Sequence, residues 1–101
     1  MVDIEDIQKR IVALCQQRAK SKNFTITPEL SYIHLSEELG EVASQLSSKR
    51  MRPDLFDEEN LKEEIVDVIL EALILAHTCG VSLTTQIEKK LDVLLKRQSE
   101  R

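Results

Sequence analysis

The 101 residues are near the common size of one domain, and 32% charged residues, 3% aromatics, two glycines and two prolines favour long helices with short turns over sheets. A formal net charge of -4 offers no broad basic field, which disfavours nucleic acid as a partner. The opening Val2, Asp3, Ile4, Glu5 lacks a basic start before a long apolar run, so no secretory signal is expected. Residues 65–76 are strongly apolar, yet Asp67 and Glu71 interrupt them and they fall short of the roughly 20 residues of a membrane span. The expectation is a single cytoplasmic domain over 1–101 with no membrane partner.

The spacing predicts four helices. The first covers residues 3–21, where Ile4, Ile7, Ile11, Leu14, Cys15 and Arg18 recur at three- and four-residue steps, as on an amphipathic outer helix. Residues 23–27 connect it to Thr27-Pro28-Glu29, which supplies an N-cap, a proline at the first helical position and an acid in the first turn. The second helix, 28–48, carries the stripe Leu35, Leu39, Val42, Ala43 and Leu46. Lys49, Arg50, Met51, Arg52, Pro53 and Asp54 break the pattern and read as an exposed basic loop. Phe56 reads as a staple before Asp57, which caps the third helix, and Gly80 past Cys79 stops it. Ser82 caps a fourth helix with Leu83, Ile87, Leu91 and Leu94 on one face, and the polar residues from Lys96 onward suggest fraying. Cys15 and Cys79 fall at apolar positions, where a free thiol acts as a small hydrophobe.

The third helix is apolar on nearly every side. Leu61, Ile65, Val68, Ala72 and Cys79 line one side while Val66, Leu70, Leu73 and Ile74 cover the other, so it must be buried on both. The expected architecture is an all-α four-helix bundle with antiparallel neighbours. Three amphipathic partners in one chain cannot cover that surface, so oligomerisation as a homodimer or homotetramer completes it. Val66, Leu70, Leu73 and Ile74 are the expected interface.

Glu38 and Glu41 on the second helix are spaced i, i+3, and so are Glu64 and Asp67 on the third, which places each pair on one helix face. The offsets match, at about 60° and 120° from Leu35 and Leu61 respectively. If the two helices pack antiparallel, the four carboxylates converge on one point. Ionised carboxylates removed from water cost several kcal/mol unless compensated, and an all-oxygen shell suits Mg²⁺, with Mn²⁺ as the alternative. The Glu-x-x-His pairs of a di-iron bundle are absent from the sequence.

Glu37-Glu38-Leu39-Gly40-Glu41 followed by Glu64-Ile65-Val66-Asp67 resembles the EExxE and ExxD signature of the MazG-like nucleoside triphosphate pyrophosphohydrolases, in the all-α NTP pyrophosphatase superfamily. The likeness runs from residue 28 to residue 97. It implies a four-helix MazG-like bundle and Mg²⁺-dependent cleavage of nucleoside triphosphates to monophosphate and pyrophosphate, with housecleaning of noncanonical nucleotides as its role. It also implies that Glu38, Glu41, Glu64 and Asp67 hold the metal against the phosphates. Glu37 or Glu41 would orient the attacking water or accept its proton. Lys90 and Arg97 match a basic pattern on the family's last helix, although Leu94 stands where an asparagine is usual, so they are candidates for phosphate contacts.

His34, one turn before Glu38, reads as a substrate contact or a boundary histidine. Glu71, four residues after Asp67, suggests a water-mediated contact with the metal. Tyr32 and Phe24 are candidates for stacking on a base, and the basic residues of the 49–52 loop for gripping the triphosphate. Phosphoribosyl-ATP pyrophosphohydrolase is a related alternative, but its Tyr-His pair after the aspartate is replaced here by Val68, Ile69, Leu70 and Glu71. The alternative outside enzymes is a non-catalytic oligomeric helical bundle.

Overall fold

The computed structural model describes residues 3–100; Met1 and Val2, where the signal-sequence expectation begins, and Arg101 lie outside the described residues. The described residues form helices α1 (Ile4–Lys22), α2 (Pro28–Met51), α3 (Glu58–Thr78) and α4 (Leu83–Ser99), with a 3-10 turn at Pro53–Leu55 and no strand. The chain is all-α, as its composition predicts.

Three of the helices start at side-chain caps. Asp3 Oδ1 accepts from the Asp6 amide at 2.8 Å, Thr27 Oγ1 from Leu30 at 3.1 Å and Asp57 Oδ1 from Asn60 at 3.2 Å. Each satisfies an amide that the helix leaves without a partner. Ser82 stands at the N-cap of α4 without capping it, its hydroxyl donating instead to Thr85 Oγ1 at 3.4 Å. Gly80, at φ 70°, ends α3: its amide donates to His77 O and the Val81 amide to Ala76 O, a paired closure that needs a left-handed residue.

The seam between α2 and α3 is the main packing of the chain. At one end the Asp57 amide donates to Gln45 Oε1 at 3.1 Å, and at the other Thr78 Oγ1 reaches Ser31 Oγ at 3.5 Å. The pair is therefore antiparallel. α1 lies on α3, pinned by Gln8 Nε2 donating to Leu73 O at 2.9 Å. Between them sits a small core of Val12, Ala19, Leu73 and Ile74.

Several expectations are corrected. Leu73 and Ile74, 5% and 4% exposed, are core under α1 and so cannot form a subunit interface. On α1 the expected stripe holds in part: Ile4, Ile7, Ile11 and Cys15 are half-buried beside the buried Val12 and Ala19, whereas Leu14, at 59%, and Arg18 are exposed. Lys49 and Arg50 belong to α2, whose hydrogen bonding continues to Met51. Arg52 then forks onto Asp54 at 3.0 and 3.1 Å, and Lys49 Nζ lies 5.4 Å from the half-buried Phe56 ring, so two of the loop's cations already have local partners. Cys79 is exposed while Cys15 is half-buried. α4 stays helical to Ser99 instead of fraying from Lys96.

α4 also fails to return antiparallel along α3. The two helices are bent by 107°, and α4 packs on α1. The Gly80 closure and a four-residue link turn the chain away from α3. Ile87, Leu91, Leu94 and Leu95 are left exposed, as are Leu39 and Leu46 on α2 and Ile65, Val66 and Ile69 on α3. The radius of gyration, 16.7 Å, exceeds the about 13 Å of a compact chain of this length. Among the described residues no single helix is long and apolar enough to cross a membrane.

With so small a core, each member of it carries much of the stability. Ile74→Ala should cost about 2–5 kcal/mol in chemical denaturation, whereas Leu55→Ala, on the exposed 3-10 turn, should stay within about 0.5 kcal/mol.

Candidate metal centre and active site

Among the residues of α2 withdrawn from solvent, Ser31, His34, Leu35, Glu38, Val42, Gln45 and Ser48 follow the three- and four-residue steps of one helix face. That face is rotated from the expected apolar stripe. Leu39 and Leu46, expected to be buried, are about half exposed, and Glu38 sits in the middle of the seam against α3. Polar residues hold this seam because it is built around carboxylates.

Glu64 projects into the same seam from α3. One carboxylate oxygen from each of Glu38, Glu41 and Glu64 lies within 4.8 Å of the others. Glu38 Oε2 and Glu64 Oε2 are shielded from solvent and have no hydrogen-bond partner. The ion pairs found among the described residues are Arg10–Asp6, Arg52–Asp54 and Lys62–Glu59, so no basic side chain neutralises the cluster.

Acids crowded in this way resist ionisation. Sharing of a proton with the Glu41 carboxylate, followed by loss of water and the same sharing with Glu38, pushes Glu64 up to about 7. Burial raises Glu38; hydrogen bonding with Glu64 partly offsets this, and the charges of Glu41, Asp67 and Glu37 add to it. Either a proton or a cation must lie among these oxygens. The two orphaned oxygens and the all-oxygen donor set fit a hard divalent cation.

The remaining expected site residues are distributed around this cluster. Asp67 is exposed one turn beyond Glu64; it lies outside the 4.8 Å set, although its charge reaches Glu38. Glu37 is exposed and also outside the set. His34 and Glu71 line a cavity of about 440 Å³ on the α1 side of the seam, together with Arg18 and Phe24. Burial pushes Glu71 up, with His34 acting against that shift and Glu38 adding to it. Burial followed by the Glu71 charge raises the Cys15 thiol on the same wall. Lys90 and Arg97 are exposed on α4, whose main packing is against α1 and not against the acidic seam. Tyr32 is 62% exposed and does not line this cavity. Arg18 was not expected on this cavity wall; an arginine at an apolar stripe position was the available signal.

Fold and site together define an all-α protein with a carboxylate centre held between two antiparallel helices. Residues 26–101 match the MazG nucleotide pyrophosphohydrolase domain, and the chain belongs to that family. It is accordingly a pyrophosphohydrolase, a member of the hydrolase class. No curated protein matches the chain.

The raised acids fix the sign of a pH effect. A carboxyl whose folded pKa lies above its unfolded value near 4.5 binds its proton more tightly in the folded protein, so stability falls as pH rises from about 4.5 through about 7. Chelator-treated protein should melt at a higher temperature at pH 5 than at pH 7.5 in calorimetry. Glu64→Gln should remove most of that difference.

Proposed function

We propose that the chain is a Mg²⁺-dependent nucleoside triphosphate pyrophosphohydrolase, with Mn²⁺ able to replace Mg²⁺, that adds water across the α–β anhydride to give a monophosphate and pyrophosphate. The observation that carries this reading is the convergence of Glu38, Glu41 and Glu64 with two oxygens lacking any partner. A triphosphate is itself polyanionic, so a cluster of bare carboxylates receives it only with cations between them. A divalent cation there supplies charge that neutralises phosphate oxygens and makes water more acidic.

In this reading Glu38, Glu41 and Glu64 hold the cation from two helices, and the exposed Asp67 completes the set from the next turn of α3. Glu41 is exposed within the cluster and is better placed than Glu37 to orient the attacking water and take its proton. Lys90 and Arg97 would reach phosphate oxygens from another subunit of a homodimer or homotetramer. The apolar rows left open on α2, α3 and α4 are the surface that such an assembly covers. Removal of noncanonical nucleotides is the role that fits an enzyme of this chemistry.

Pyrophosphate release from a panel of canonical and modified triphosphates, including phosphoribosyl-ATP, tests the reaction. Release should require Mg²⁺, stop with chelator and fall by about 10²-fold or more in Glu41→Gln. Release that survives chelation, or is unchanged in the variant, would refute the reading. Light scattering should give at least twice the 11.6 kDa chain mass, and Ile69→Glu or Leu91→Glu should lower it.

A further inference from the structure

We infer that the cavity between α1 and the α2–α3 pair receives the nucleobase, and that Arg18 and Glu71, on different helices of its wall, select bases bearing an exocyclic amine. The inference rests on the nucleoside triphosphate reading and deepens it by naming the substrate class.

The cavity, about 440 Å³, has the make-up of a small-molecule site. About half of its lining residues are apolar, Leu14, Phe24 and Ile74 among them, and the polar ones are Gln17, Arg18 and Ser21 from α1, His34 from α2 and Glu71 from α3. His34 lies one helical turn before Glu38, and Glu71 one turn after Asp67. One turn is about 5.4 Å of rise, a length that a ribose spans. A base in the cavity would therefore leave its phosphates at the carboxylate centre. A phosphate in the cavity would instead face the Glu71 carboxyl, so the cavity is the base end of the site. The half-buried Phe24 offers a ring for stacking.

Selectivity follows from the chemistry of the two charged groups. Ionised glutamate only accepts hydrogen bonds and arginine only donates them. An amine next to a ring nitrogen or carbonyl, the edge that cytosine, adenine and guanine present, satisfies both. Uracil and thymine have a single N–H between two carbonyls, and pairing it with Glu71 leaves a carbonyl oxygen against a carboxylate oxygen. α1 lies outside the residues that match the family. The Arg18 wall is thus contributed by a segment outside the family match.

Binding of hydrolysis-resistant α,β-methylene triphosphates in Mg²⁺, measured by calorimetry, tests this without turnover. The cytidine analogue should bind about tenfold or more tighter than the uridine analogue, as expected of a site built to pair an N–H group. Glu71→Gln, whose amide can donate to a carbonyl, should bring the two within about threefold, while Glu71→Asp should keep the order. Equal binding of the two analogues by wild type, or an unchanged ratio in Glu71→Gln, overturns the inference alone if Mg²⁺-dependent pyrophosphate release persists. If no analogue binds, the inference and the triphosphate reading fail together.

Discussion

Glu38 and Glu64 face each other across the α2–α3 seam with an oxygen apiece that neither water nor any donor reaches. Burying such atoms costs free energy that an apolar seam would not incur. The helices nevertheless pack here, held at the two ends by Gln45 with Asp57 and by Ser31 with Thr78. Those end contacts fix the antiparallel register, and that register brings the i, i+3 acids of the two helices together. The cluster is a strained arrangement until a proton or a cation occupies it, which couples the stability of the fold to its chemistry.

The second constraint is how little the chain buries. Val12, Ala19, Leu73 and Ile74 form the whole of the buried apolar core among the described residues. α1 has a double role: it covers Leu73 and Ile74, and it supplies Arg18 to the cavity beside the carboxylates. α4 contributes little to the buried core, since its apolar face is open. An isolated amphipathic helix of this length is marginal in water, and the packing that α4 has within the chain is on α1.

Much of the fold was legible because its signals are local. Thr27-Pro28-Glu29, Asp57 and Gly80 mark helix ends through their own hydrogen bonds, and the structure places the ends of α2 and α3 there. The acidic pairs were legible through helical spacing alone, and three of the four acids meet. What the sequence obscured was which apolar residues face inward. Leu39 and Leu46 look like core yet lie half exposed, while Glu38, the neighbour of Leu39 in the chain, takes the seam. A periodic pattern reports that a face is apolar without reporting what it packs on, and this chain has more apolar faces than internal partners. Leu73 and Ile74 were misassigned to an interface for the same reason. The turn of α4 away from α3 depends on the Gly80 closure and has no periodic signature.

The most direct test of a cation site in the α2–α3 seam is Mn²⁺ binding followed by electron paramagnetic resonance at pH 6 and pH 8, in wild type and in Glu38→Gln. The carboxylates must lose a proton before they can hold the ion, and Glu64 sits at about 7. Affinity should therefore rise between those two pH values in wild type, and binding should be lost or weakened at least about tenfold in the variant. Binding that is indifferent to pH, or retained in full by Glu38→Gln, would contradict the account.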